Sequence, residues 1–172
     1  TFPSQILGGP TWTQARISDE PVLSAGDYVD VLVAFNKEAY DTHSEEVKPQ
    51  GVIIYNSDDF QLEGDDRSFG LPIEELARST GNTRAANMVV IGALAHLVDM
   101  PQGYLDEFVE KRFRRGREGD DEIIQSNIQA MVLGRTHTSE SGFTLGRLAE
   151  PQMPEYQQIM VKGNEALSLG AR

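Results

Sequence analysis

The group best suited to hold a ligand in this sequence is Gly81-Asn82-Thr83-Arg84. It opens a predicted helix, whose first backbone N–H groups have no partner within the helix. With Arg84 beside them, those groups could hold an anion such as a phosphate. A plainer account covers two of the four residues: Gly81 reads as the glycine that ends one helix, and Asn82 as the cap that starts the next. Arg84 is left without a structural duty. Gly8-Gly9 is a second place where backbone N–H groups could approach a phosphate, although paired glycines more commonly make a tight turn. A third set stands at the carboxyl ends of two predicted strands, Asn36 after one and Asn56-Ser57 after the other. Ligands of open α/β sheets gather beyond those ends. Asn36 has an alternative duty as the cap of the helix that follows it.

Other chemistries are poorly supplied. The chain has no cysteine, which excludes disulfides, thiolate zinc sites, Cys-ligated iron–sulfur clusters and a Cys nucleophile within it. That composition fits a reducing compartment, and a cytoplasmic location is expected. His43, His96 and His137 are far apart and none lies in an HExxH-like pairing, so no metal site is expected. The net charge of −12 disfavours nucleic acid as a partner, because a phosphate backbone needs a basic stripe. One local basic run, Lys111-Arg112-Phe113-Arg114-Arg115-Gly116-Arg117, reads as the cationic end of a helix, with a docking patch as the alternative. No apolar run is long enough to span a membrane, and the opening residues have no basic region leading into an apolar stretch. The chain starts at Thr1, so an earlier segment is expected to precede it.

The elements that must position these residues follow from periodicity. Residues 13–18 alternate like a half-buried strand. Residues 28–35 are nearly continuous and β-branched, the pattern of a strand buried on both faces. Residues 37–47 place Ala39, Tyr40, His43 and Val47 on one helical face. Pro49-Gln50-Gly51 breaks that pattern, and residues 52–55 read as a second buried strand. Strand, helix, strand with short joints is a βαβ unit, which is parallel. Residues 61–68 are polar and read as a surface loop. A short helix begins near Pro72 and ends before Gly81.

Residues 83–98 are predicted to form a helix apolar around its whole circumference, which must be buried. Its small residues, Ala85, Ala86, Gly92, Ala93 and Ala95, allow another backbone to approach closely. A contact outside the domain is the expected use, since a domain of this size rarely buries a helix completely. An amphipathic helix over residues 104–113 and another over residues 122–133 follow. Residues 134–156 lose helical periodicity and read as a linker. Residues 158–162 then read as a new strand, with a strand-to-helix turn over residues 163–167.

Several segments together resemble the gamma domain of the 2-oxoacid:ferredoxin oxidoreductases. Phe2-Pro3-Ser4-Gln5-Ile6-Leu7-Gly8-Gly9-Pro10 is similar to that family's loop ending in paired glycines. Asp30-Val31-Leu32-Val33-Ala34-Phe35-Asn36 looks like its strand ending in Asn, and Val47-Lys48-Pro49-Gln50-Gly51-Val52-Ile53-Ile54-Tyr55-Asn56-Ser57 like the next helix end and strand. Gly81-Asn82-Thr83-Arg84-Ala85-Ala86-Asn87-Met88 resembles its most diagnostic helix opening. Each motif alone is weak, but four in the family's order cover most of the chain. The tail, Lys162-Gly163-Asn164-Glu165-Ala166-Leu167-Ser168-Leu169-Gly170-Ala171, looks like the start of the family's alpha domain. That implies a fused gamma–alpha subunit of the 2-oxoglutarate type, cut short at both ends.

The resemblance implies an α/β fold: a three-layer αβα domain with a mostly parallel sheet, followed by a C-terminal helical section. It implies a gamma domain over residues 1–133, a linker over 134–157 and the start of a thiamine-diphosphate-type domain over 158–172. It implies an enzyme that oxidatively decarboxylates a 2-oxoacid such as 2-oxoglutarate or pyruvate, with coenzyme A as acyl acceptor and ferredoxin as electron acceptor. Thiamine diphosphate, magnesium and an iron–sulfur cluster would serve the complete enzyme, with the clusters on a beta subunit that completes a hetero-oligomer. The chain itself would carry no catalytic residue. Its candidate binding residues are Gly8, Gly9, Asn36, Asn56, Ser57, Asn82, Thr83 and Arg84. Three roles remain open: a domain that helps bind coenzyme A and assembles the complex, a structural interface domain with no ligand, and a free-standing nucleotide-binding module. The last lacks a complete glycine-rich phosphate loop after a strand.

Overall fold

The computed structural model describes residues 11–18, 22, 24, 26–148 and 170. Its centre is a three-stranded parallel sheet in the order β1-β2-β3, formed by Val29–Ala34, Val47–Asn56 and Ser68–Leu71. Helix α1, Lys37–His43, makes the crossover from β1 to β2, and a 3-10 turn, Ser44–Glu46, completes it. The expected βαβ unit is therefore present and parallel. After β3 come α2 (Ile73–Ser79), a 3-10 turn (Thr83–Ala85), α3 (Ala86–Leu97), α4 (Gln102–Phe113) and α5 (Asp120–Ser141).

The strand pattern sorts the residues into layers. Val52 and Ile54 of β2, with Phe69 and Leu71 of β3, form one core with Ala77 of α2, Val89, Val90, Ala93 and Leu97 of α3, and Ala130 of α5. On the alternate positions of β2, Tyr55 packs on Phe60, which in turn meets Tyr40 of α1, with ring centroids 5.3 Å and 6.4 Å apart. The α/β architecture with a parallel sheet and a helical C-terminal section is thus the one anticipated. A second core lies outside the first, where Leu105 and Val109 of α4 meet Ala95, Ile124 and Met131. Fully burying an Ile or Leu, as with Ile53, Ile54 and Leu71, contributes about 1.5–3 kcal/mol each.

Several expectations need correction. No strand forms over residues 11–18, where Trp12 and Ile17 are 68% and 73% exposed. Their alternation gains nothing without a core face to bury, and Trp12 instead lies against the His43 ring. β1 is an edge strand of the described sheet, so Val31, Leu32 and Val33 are half-buried and Tyr28 and Phe35 are exposed; the strand buried on both sides is β2. β2 also begins earlier than expected, at Val47. Pro49-Gln50-Gly51 does not break it but sits in a bulge between the Val29–Val47 and Val31–Val52 pairs, the kind of place where a strand tolerates proline. Finally, α5 continues through Gly134 to Ser141, into the segment read as a linker. Its polar residues hid a helix whose inner face is made by Gly134 and Thr138.

Helix α3 is buried, and its small residues do permit a close approach, but the partner is α5 of the same chain. A Cβ added at Gly92 would lie 1.9 Å from the Met131 carbonyl oxygen, and one added at Gly134 would lie 2.0 Å from that of Val89. The two glycines thus let the helices cross backbone to backbone. The apolar circumference is divided between the sheet with α2 on one side and α5 on the other, and only Asn87 of the helix is exposed. An outside contact is not needed to explain it.

Candidate functional site

Two polar corners stand at opposite ends of α2. The first is built where β1 and β2 end. Asn36 caps α1, its Oδ1 accepting from the Ala39 N–H at 2.8 Å, so the cap account of this residue holds. Asn56 is the last residue of β2 and is 2% exposed. Its Nδ2 donates to the Phe35 carbonyl and to Glu74 Oε1, both at 3.3 Å, and its Oδ1 accepts from the Asp58 N–H at 3.2 Å. One side chain thereby ties together the carboxyl ends of two strands and the first turn of α2. Ser57 donates its N–H to the Leu71 carbonyl, and its own carbonyl accepts from Gln61.

The start of α2 completes this corner. Pro72 occupies the cap position and has no side-chain oxygen to offer. Asp58 does the work from a distance, with Oδ2 accepting from the N–H groups of Glu74 at 2.7 Å and Glu75 at 3.1 Å. Beyond it, the loop to β3 is held by Asp65. Arg67 donates to this carboxylate through Nε at 3.0 Å and Nη2 at 2.9 Å, and Tyr40 donates its hydroxyl at 3.1 Å. The Arg67 hydrogen bonds hold the Asp65 carboxyl below the usual carboxylate range against the opposing pull of burial. Burial, then the Asp65 bond, raises the Tyr40 phenol.

The second corner follows the C-terminus of α2. Thr80 ends the helix and Gly81 takes a left-handed φ of +77°, with its N–H donating to the Arg78 carbonyl. Asn82 Oδ1 accepts from the Arg84 N–H at 3.1 Å, and its Nδ2 donates to Ser126 Oγ of α5 at 3.1 Å. Both expected duties, end glycine and cap, are therefore carried out. Thr83 and Arg84 are exposed. The Arg84 guanidinium has no hydrogen bond or ion pair among the described residues.

The structure therefore brings Asn36, Asn56 and Ser57 together in one corner and Asn82, Thr83 and Arg84 in the other. A seven-residue helix, about 10 Å long, lies between the two groups. Gly8 and Gly9 lie outside the described residues. Sequence reading missed Asp58, Asp65, Arg67 and Glu74 as organisers of the first corner. The run Asn56-Ser57-Asp58-Asp59 directly after a strand was the available signal, since such residues hydrogen-bond nearby backbone groups. Among the described residues no cluster of His, Asp and Glu is arranged to hold a metal ion, and no helix is long and apolar enough to cross a membrane.

These corners sit on a chain with clear relatives. Ketoisovalerate oxidoreductase subunit VorA of Methanothermobacter thermautotrophicus is 32% identical over 136 residues, covering 78% of this chain and 28% of its own length. The 2-oxoglutarate oxidoreductase subunit KorA of Mycobacterium tuberculosis is 26% identical over 197 residues, covering 98% of this chain and 29% of its own. A solved structure, the 2-oxoglutarate:ferredoxin oxidoreductase of Magnetococcus marinus with 2-oxoglutarate, coenzyme A and succinyl-CoA bound, superposes with a TM-score of 0.70 at 28% identity. It covers 88% of this chain and 27% of that one. The chain thus spans less than a third of the length of each. The sequence pattern of pyruvate ferredoxin/flavodoxin oxidoreductase matches residues 1–137. With that match over most of its length, the chain belongs to the pyruvate ferredoxin/flavodoxin oxidoreductase family, the 2-oxoacid:ferredoxin oxidoreductases.

Proposed function

We propose that this chain is the gamma domain, with the first residues of the alpha domain, of a fused 2-oxoacid:ferredoxin oxidoreductase subunit. The complete enzyme converts a 2-oxoacid such as 2-oxoglutarate or pyruvate to the acyl-CoA, with release of carbon dioxide and reduction of ferredoxin. Alignment with KorA along 98% of the chain supports the fused arrangement. In this reading residues 1–133 form most of the gamma domain and residues 158–172 begin the next one. The linker assigned to residues 134–157 then starts only where α5 ends, at Ser141.

The domain's own work is to hold coenzyme A and to assemble with the beta subunit. The observation that carries the first part is Arg84, an exposed cation at a helix opening with no partner among the described residues. Coenzyme A presents phosphates, and an exposed guanidinium is well matched to them. The Magnetococcus marinus enzyme, which was solved with coenzyme A bound, has the same fold over this region. Asn82 orients the turn through Ser126, and Thr83 adds an exposed hydroxyl. Gly8 and Gly9 are proposed as a separate place where backbone N–H groups could approach a phosphate. Asn36, Asn56 and Ser57 organise the strand ends at the other corner.

Thiamine diphosphate with magnesium supplies the decarboxylation chemistry when bound, and iron–sulfur clusters carry the electrons. Without cysteine, this chain has no thiolates for such a cluster, so the clusters are assigned to the beta subunit. Calorimetric titration of the chain with coenzyme A tests the reading. Saturable binding is expected. Absence of binding, in a chain shown to be folded, would leave assembly as the domain's role. Methyl viologen reduction by the chain alone, with 2-oxoacid, coenzyme A and thiamine diphosphate supplied, is expected to be nil. Activity there would overturn the assignment of catalysis to other parts of the enzyme.

A further inference from the structure

The basic run at the end of α4 is used by nothing described above. Tyr104, Phe108 and Arg112 recur every four residues, so they form one stripe along the helix. The face of α4 that flanks this stripe is inward, with Leu105 and Val109 buried. The stripe faces out: Tyr104 is 64% and Phe108 45% exposed, and Arg112 is exposed, as are Arg115 and Arg117 beyond the helix end. Large aromatic side chains held in water beside free guanidinium groups call for an explanation.

The nearby acids do not neutralise these arginines. Glu107 pairs with Lys111 at 2.6 Å. Glu110 and Asp121 both pair with Arg114. Asp120 turns its carboxylate to the backbone N–H groups of Arg115 at 2.7 Å and Arg117 at 3.0 Å. Arg112, Arg115 and Arg117 are left without a side-chain ion pair among the described residues. The helix end therefore accounts for part of the basic run, and the remaining three charges point elsewhere.

We propose that this stripe is a docking surface for an acidic face of a partner protein. Tyr104 and Phe108 would fill an apolar centre, and Arg112, Arg115 and Arg117 would engage carboxylates around it. Tyr, Phe and Arg are the residues enriched in protein interfaces, and the guanidinium fork matches a carboxylate in two-point contact. The charge of the whole chain selects among anionic partners. At −12 it repels a dense polyanion such as nucleic acid or an anionic membrane, and it repels a second copy of itself. A protein face with few carboxylates and an apolar spot escapes most of that repulsion.

The test uses the full 172-residue chain, so it does not depend on the oxidoreductase reading. The probe is a fluorescent amphipathic peptide of alternating glutamate and leucine blocks, followed by anisotropy over a salt series. Wild type is expected to bind it, and binding should weaken as salt rises. Arg112→Glu/Arg115→Glu/Arg117→Glu should weaken it about tenfold or more at low salt, equal to about 1.4 kcal/mol. Tyr104→Ala/Phe108→Ala should weaken it at every salt concentration. Circular dichroism keeps misfolding apart from lost contact, and these exposed sites should leave it unchanged. Unaltered binding by the triple variant would overturn the proposal. So would tighter binding of duplex DNA or anionic vesicles, or wild-type self-association in sedimentation that the same substitutions abolish.

Discussion

The two ends of α2 solve opposite problems with similar residues. At its start, Asn56 is buried and its amide makes three hydrogen bonds, while Asp58 caps the helix that Pro72 cannot cap. The Asn56 amide and one Asp58 carboxylate oxygen are consumed by the fold there. Past its end, Asn82 performs the same kind of capping, yet Thr83 and Arg84 beside it remain exposed and the Arg84 guanidinium is unpaired among the described residues. An asparagine following a strand or opening a helix does not by itself distinguish architecture from binding. What separates the corners is the sign of the charge left without a partner among the described residues: the carboxylates of Asp59 and Glu75 at the first, the guanidinium of Arg84 at the second.

The largest expected effect tests the closed corner. Asn56→Ala removes the amide that bridges two strand ends to α2 and leaves the Phe35 carbonyl, Glu74 and the Asp58 N–H short of a partner. Stability should fall by about 2–3 kcal/mol in denaturant melts, since abandoned buried groups carry their desolvation cost. A loss near zero would mean that the corner is solvated and available to a ligand. Asp58→Ala should cost about 1 kcal/mol, the usual value of a helix cap, because it frees the N–H groups of Glu74 and Glu75. Asp58→Asn should recover most of that, since the amide oxygen can still accept.

What the sequence revealed about these corners depended on range. Asn36, Gly81 and Asn82 were readable because their partners lie within a few residues, as Ala39, Arg78 and Arg84. The parallel pairing of β1 with β2 was readable for the same reason, since the short helix between them leaves few alternatives. β3 was not: Ser68-Phe69-Gly70-Leu71 is only four residues long and follows a polar loop, so no period-2 pattern could accumulate. It is specified instead by contacts distant in sequence. The Arg67 carbonyl accepts from Ile53 of β2 and the Leu71 carbonyl from Ser57 just past it, while the Gly70 carbonyl accepts from His137 Nε2 at 3.0 Å. His137 belongs to the part of α5 that lacked a visible helical period. There Gly134 and Thr138 face inward, small or polar residues whose burial follows from the tight crossing with α3 rather than from hydropathy. The same crossing was misassigned to a partner because small residues report that a backbone comes close, not whose backbone it is.

A smaller effect is expected from acid, acting on the loop that leads away from the closed corner. Asp65 has its pKa lowered in the folded chain, first by the Arg67 hydrogen bonds. A carboxyl whose folded pKa lies below its unfolded value of about 3.9 stabilises the fold above that pH, and the contribution is lost as pH falls through the folded value. Wild type should therefore lose stability below about pH 4 with a steeper slope than Asp65→Asn, which cannot titrate there. Melting midpoints measured at neutral and acid pH for the two proteins decide it. Equal slopes would show that the Arg67 contact does not persist in solution.

The smallest effect on stability should come from the open corner, and there it separates binding from folding. Arg84→Ala removes an exposed side chain that has no partner among the described residues, so stability should change by less than about 0.5 kcal/mol. Coenzyme A affinity should nonetheless fall about tenfold, since a charge-assisted bond to a phosphate is worth roughly twice a neutral one. Arg84→Lys should retain part of the affinity, because a point charge still attracts the anion while the two-point contact is gone. Dephospho-coenzyme A discriminates further. If Arg84 holds the ribose phosphate, wild type should bind this analogue as weakly as Arg84→Ala binds coenzyme A, and the variant should lose nothing more. If the pyrophosphate is the group held, both proteins should lose affinity for the analogue in proportion. An Arg84→Ala protein that binds coenzyme A like wild type but melts well below it would reverse the comparison, making Arg84 a structural residue and leaving neither end of α2 open.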